Sequence, residues 1–60
     1  MNIKLKNARE KIGLTQLEVA EKAKISTSAY QNYEAGRRLP NVQTAKLIAR
    51  ILNSKVEDIF

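Results

Sequence analysis

TQLEVAEKAKISTSAYQNYEAG, residues Thr15 to Gly36, carries two helix starts and almost no chain between them. Thr15 is a good N-cap, and Glu18 three residues later completes a capping box. Ser26 is a second N-cap candidate, opening a segment that Gly36 can close from the left-handed C′ position. Only Lys24-Ile25-Ser26 is left to connect the two segments. Helices on so short a connection cannot lie antiparallel along their full length and are expected to cross steeply.

The second segment has two unlike faces. At about 100° per residue, Ala29, Tyr30 and Tyr33 fall together as an apolar face fit for a core. Thr27, Ser28, Gln31, Asn32 and Ala35 fall opposite. An ordinary solvated face would carry Lys and Glu. Short hydroxyl and amide side chains are suited instead to pairing with base edges in a DNA groove.

Outside this stretch, Met1 to Ile12 reads as a first helix ended by Gly13, with Leu5, Ala8 and Ile12 inward. Arg9 lies inside that stripe, and a charge pointing at a core needs a partner. Glu34, on the inward border of the segment after Ser26, is the expected one. Gln16 to Ala23 forms the second helix, with Val19, Ala20 and Ala23 inward and Leu17 outward. Arg37 and Arg38 follow Gly36 on a loop suited to phosphate contact, and Pro40 stops the loop. Asn41 caps a fourth helix, Val42 to Leu52, whose stripe is Val42, Ala45, Ile48, Ala49 and Leu52. Asn53 suits a left-handed C′ position. Ser54-Lys55-Val56-Glu57 reads as another capping box, opening a short helix through Ile59. Part of the apolar tail closes the core. The remainder, with Leu39, is expected to form a contact between two copies through Leu39, Ile59 and Phe60.

The arrangement resembles the Cro/cI-type helix-turn-helix family of phage and bacterial repressors, also called the Xre family. The resemblance rests on Gly13-Leu14-Thr15-Gln16, Ala20, Ile25-Ser26, Tyr30, Tyr33-Glu34, Gly36, Arg38, Pro40 and Val56-Glu57-Asp58-Ile59. It implies an all-α fold: a compact, lambda-repressor-like bundle of five short helices in one domain over residues 1–60, with the helix-turn-helix at about 15–36. It also implies an Arg9–Glu34 tie, a small Ala20 for close helix approach, and a backbone-phosphate contact by Gln16, which its place in the first helical turn favours. Where such proteins usually carry Gly in the turn, this chain has Lys24, which would be strained by about 1 kcal/mol at positive φ. They also place the last N-cap one residue later, at Lys55.

Composition narrows the function. A formal net charge of +5 favours a polyanionic partner without identifying one. There is no Cys and no His, so no disulfide, metal ligand set, cofactor or catalytic residue is expected, and no enzyme is expected. No stretch could span a membrane, the start lacks the apolar run of a signal peptide, and no small-molecule ligand site is evident. A cytoplasmic protein of prokaryotic or phage origin is expected.

The reading that follows is a sequence-specific double-stranded DNA-binding regulator, a repressor acting as a homodimer on a near-palindromic operator. Thr27, Ser28, Gln31 and Asn32 would contact bases, and Gln16, Arg37 and Arg38 would contact phosphates. The alternative is an antitoxin-type interaction module that uses the same fold to hold another protein.

Overall fold

In the computed structural model, which describes all 60 residues, four helix ends carry one repeated device. The helices are α1 (Ile3–Ile12), α2 (Gln16–Ala23), α3 (Thr27–Glu34), α4 (Val42–Ile51) and α5 (Val56–Ile59), with no strand. Each of α1 to α4 ends with a left-handed residue: Gly13 (φ 87°), Lys24 (57°), Gly36 (76°) and Asn53 (53°). The amides of that residue and the next one fold back onto the last turn. Leu14 N–H donates to Arg9, Ile25 to Ala20, Arg37 to Asn32 and Ser54 to Ala49. This is the Schellman motif, which satisfies carbonyls that a helix end leaves open. Lys24 therefore takes the strained conformation expected of it, while Gly or Asn stands at the other three ends.

The N-termini are capped as regularly. Thr15 Oγ1 accepts from Glu18 N–H at 3.1 Å, and Glu18 Oε1 accepts from Thr15 N–H at 2.8 Å, which is the full capping box. Ser26 Oγ accepts from Ala29 N–H, and Asn41 Oδ1 from Thr44 N–H.

Two expected starts are corrected. α1 begins at Ile3 rather than Met1, because Asn2 acts as its N-cap, with Oδ1 accepting from Leu5 N–H at 3.0 Å. The capping box on Ser54 does not form. Ser54 is consumed by the end of α4, giving its N–H to Ala49 and its hydroxyl to Leu52 O, so the chain turns into α5 one residue later. Lys55 occupies the N-cap position with no side-chain bond.

The core is built by Leu5 of α1, Val19, Ala20 and Ala23 of α2, Tyr30 of α3, Ile48, Ala49 and Leu52 from α4 and its end, and Ile59 of α5. α2 packs against both α3 and α4, and α5 closes the bundle against α1 and α4. Ala20 is 1 % exposed, so any larger side chain there would force these helices apart. Of the expected stripes, Ala8, Ala29 and Tyr33 are half-buried, and two residues are exposed. Ile12 is 43 % exposed and Val42 69 % exposed. Each is the end residue of its helix, where the stripe runs past the elements that cover it.

Asn2 is a fastening that the apolar pattern did not reveal. Besides capping α1, its Nδ2 donates to Ile59 O at 2.6 Å, and its backbone N–H donates to Glu34 O at 2.7 Å. It thus ties α1 to the end of α3 and to α5. Gly36 lies against the same corner, where an added Cβ would come 3.2 Å from the Met1 nitrogen.

Candidate nucleic-acid interface

The outer face of α3 is set by the inner one. Tyr30 is fully buried and Glu34 is 3 % exposed, which fixes the helix about its axis. Ser28 and Gln31 are then exposed, and Thr27, Asn32 and Ala35 are half-buried along the face. Four of these side chains carry hydroxyls or amides and none carries a charge, so the helix offers both donors and acceptors to a partner.

Beneath that face lies the one ion pair of the domain. Arg9 Nε donates to Glu34 Oε2 at 2.5 Å, and Nη2 donates to Oε1 at 3.3 Å. Arg9 Nη1 adds a bond to Leu14 O at 2.9 Å, which fastens the loop before α2. Gln16, the first residue of α2, donates from Nε2 to Glu34 Oε1 at 3.1 Å, and its Oε1 accepts from Gln31 Nε2 at 3.3 Å. A continuous chain of bonds therefore runs from a buried guanidinium to an exposed amide on the outer face of α3.

The chain of bonds explains the local electrostatics. Burial alone would raise the Glu34 carboxyl, but hydrogen bonds from Arg9 and Gln16 outweigh it and hold the group below the usual carboxylate range. Arg9 is raised by its hydrogen bond to Glu34, against a smaller opposing effect of burial. Burial, and then the neighbouring Glu34 carboxylate, push the Tyr30 phenol up. Its hydroxyl lies near Glu34 yet makes no well-formed hydrogen bond.

A pH dependence follows. Because the folded carboxyl titrates below its unfolded value, Glu34 contributes its stability above the ordinary glutamate value of 4.5. That contribution is lost as pH falls through the lower, folded value. Urea midpoints are expected to hold level from neutrality to about 4.5 and to drop below it, and the drop is expected to be smaller in Glu34→Gln. An identical acid limb in the two proteins would remove Glu34 as its source.

The two arginines after α3 differ. Arg38 is exposed, and its side chain makes no bond within the protein. Arg37 Nε donates to Asn32 Oδ1 at 3.1 Å, leaving its terminal guanidinium nitrogens without a protein partner. Of the three residues expected between two copies, Leu39 is 78 % exposed and Phe60 half-buried, edge-on to Tyr33 with ring centroids 6.5 Å apart. Ile59 is corrected: it is 3 % exposed within the single chain, so it closes the core and is not a surface contact. Leu39, Pro40, Val42, Ala45, Val56 and Phe60 instead line a shallow apolar groove of about 320 Å³, with Lys46 also on its wall. The Gln16–Gln31 and Arg37–Asn32 links were not anticipated, because amide-to-amide and loop-to-helix bonds leave no periodic trace. The cap on Asn2 had a signal: Asn stands immediately before the first helical residues.

Two consecutive capped helices joined at Lys24–Ser26, with an uncharged polar outer face on the second, define a helix-turn-helix domain. The sequence profile of the helix-turn-helix family matches residues 5–59, and the chain belongs to that family, in its Xre/cI type. It is 33 % identical over 60 residues to an uncharacterised HTH-type transcriptional regulator of Archaeoglobus fulgidus, covering 100 % of this chain and 86 % of the relative. It is 32 % identical over 56 residues to the cryptic phage CTXphi transcriptional repressor RstR of Vibrio cholerae, covering 93 % of this chain and 50 % of the repressor. Identity to the HTH-type transcriptional regulator ImmR of Bacillus subtilis is 40 % over 50 residues, 83 % of this chain and 39 % of ImmR. The chain stands among DNA-binding transcriptional regulators. No helix is long and apolar enough to cross a membrane.

Proposed function

We propose that the chain is a repressor that occupies a near-palindromic operator in the cytoplasm as a homodimer. The observation that carries this reading is the outer face of α3. Thr27, Ser28, Gln31 and Asn32 lie along it with no charged residue among them, while Arg37 and Arg38 follow directly on the adjoining loop. Side chains of this kind discriminate bases in the major groove, and flanking cations fix the register on phosphates without reading sequence. Gln16, at the start of α2, keeps one amide N–H for a phosphate beside the free backbone N–H groups of the first turn. The apolar groove containing Leu39, Val42 and Phe60 is the surface on which a second copy would sit. Two reading helices would then lie about 34 Å apart, on half-sites one helical turn apart. RstR bears the name of a transcriptional repressor, which favours repression over activation.

Selection of binding sites from random duplex DNA at physiological salt tests the reading. A two-fold site of fixed spacing is the expected product. Asn32→Ala should then lower affinity for that site by about 1–3 kcal/mol and relax preference at one position of each half. Arg38→Ala should instead weaken all sequences alike and reduce the salt slope by about one unit. Equal effects of both variants on selected and scrambled duplexes would remove the division into readers and clamps. The apolar groove also favours a second reading, an antitoxin-type module that holds another protein. An unenriched DNA pool, with only salt-sensitive bulk binding, would support that second reading.

A further inference from the structure

Asn2 stands where three helices meet, and two of them have different tasks. Its Oδ1 accepts from Leu5 N–H and so starts α1. Its backbone N–H donates at 2.7 Å to Glu34 O, on the last residue of α3. Its Nδ2 donates at 2.6 Å to Ile59 O, on the last residue of α5. α3 carries the polar outer face, whereas α5 and the residue after it give the apolar groove Val56 and Phe60. One residue therefore joins the helix that faces DNA to a wall of the groove. The join is short. Only two side-chain torsions lie between its two donors, and the bond from Leu5 to Oδ1 holds both of them. Phe60 adds an edge-on contact with Tyr33 of α3, which is less directional than a hydrogen bond. Asn2 precedes Leu5, the first residue that the family profile matches, so family membership alone does not supply this fastening.

We propose that Asn2 is a positioning residue for operator recognition: by locking the end of α5 to the end of α3, it makes a pair of copies selective for the spacing between half-sites. The proposal rests on the reading of the chain as a homodimer that joins through the groove and binds a two-part operator. In such a dimer α3 reads the bases, but the distance between half-sites is read by whatever lies between α3 and the two-fold axis. One added base pair moves a half-site by about 3.4 Å and turns it by about 34–36°. A dimer can follow that change only by shifting one copy on the other or by moving α3 against the groove wall. Asn2 resists the second movement. It is also the part of that path that can be released without opening a cavity, being polar, half-buried and outside the common core.

Two substitutions cut the tie to α5 and spare the rest. Asn2→Ser keeps a capping oxygen for Leu5 N–H and the backbone bond to Glu34, but lacks the second polar atom that reaches Ile59. Asn2→Asp keeps the cap as well and sets an acceptor against the Ile59 carbonyl. Each protein is titrated with the selected site, with the same site one base pair longer or shorter between its halves, and with a single half-site. For the wild-type protein, the change of spacing should weaken binding roughly tenfold or more. In both variants that penalty should shrink by about threefold or more, within the roughly two- to twelvefold that one net hydrogen bond represents. Half-site affinity and base preference should stay within about twofold of wild type. A residue that merely supported the fold would weaken every duplex alike and leave the spacing penalty unchanged. That result overturns the proposal. So does an unchanged penalty at unchanged affinity, which would mean that the contact between copies gives way and the domain does not. Selection of an unpaired site, or of none, is a different outcome and removes the homodimer reading itself. A two-fold site that the wild-type protein binds equally at every spacing leaves that reading intact and removes only this one.

Discussion

Arg9→Ala is expected to cost the fold about 3 kcal/mol or more, and Glu34→Ala a similar amount. A domain of this size holds only about 0.05–0.15 kcal/mol per residue, so either change removes a large part of its stability. The reason lies in what the deletion leaves behind. Glu34 is 3 % exposed in the intact protein, and without Arg9 its carboxylate keeps only Gln16 as a close donor, while the Leu14 carbonyl loses the guanidinium that holds it. Uncompensated buried charge is among the most destabilising states a single substitution can create. The double variant Arg9→Met with Glu34→Leu should recover more than half of the loss, because it removes the stranded charge along with the attraction. Urea denaturation of the two single variants and the double reads this directly. Single-variant losses below about 0.5 kcal/mol, the size of an ordinary surface substitution, would mean that the pair is ornamental.

That pair was legible in the sequence for a physical reason. Arg9 falls on the stripe of Leu5 and Ala8, Glu34 borders Tyr30, and a core tolerates two such residues only together. The helix boundaries were legible where the punctuation is chemical: Thr15 with Glu18, Ser26, Gly36, Asn41 and Asn53 all act as their residue types suggest. Periodicity misled at Ile12 and Val42, because it records which face a residue is on and not whether another helix extends far enough to cover it. Ser54 misled because one short polar residue suited two neighbouring tasks, and the end of α4 claimed it. On the candidate interface, the polar face of α3 was legible from spacing. The bonds that orient its amides were not, since they depend on side chains brought together from α2 and from the loop after α3.

Ile48→Ala is the second substitution expected to have a large effect, about 2–5 kcal/mol. Ile48 sits in the middle of α4, wholly buried in the common core. Truncation loses the burial of its outer carbons and leaves a cavity that the rest of so small a domain can refill only in part. Val42→Ala, on the same helix and the same nominal stripe, should change monomer stability by no more than about 0.5 kcal/mol. Its effect belongs instead to the groove, where Val42 and Leu39 stand open. Denaturant midpoints at low concentration should therefore separate Ile48 from Val42, and sedimentation at rising concentration should separate them in the opposite sense. A Val42→Ala variant that melts as readily as Ile48→Ala would place Val42 in the core after all.

The fastening at Asn2 also has a consequence in time. A ribosome delivers the chain in numerical order at about 5–20 residues per second, so Asn2 and Ile59 emerge roughly 3–11 s apart. Asn2 reaches Glu34 through its backbone and Ile59 through its side chain, so its two long-range bonds become possible at different moments of synthesis. The first can tether α3 to the start of the chain before α4 and α5 have emerged. The groove needs Val56 and Phe60 and exists only after residues 56–60 have emerged. The outer face of α3 is thus assembled before the apolar groove, and whatever the groove binds must wait for that later step.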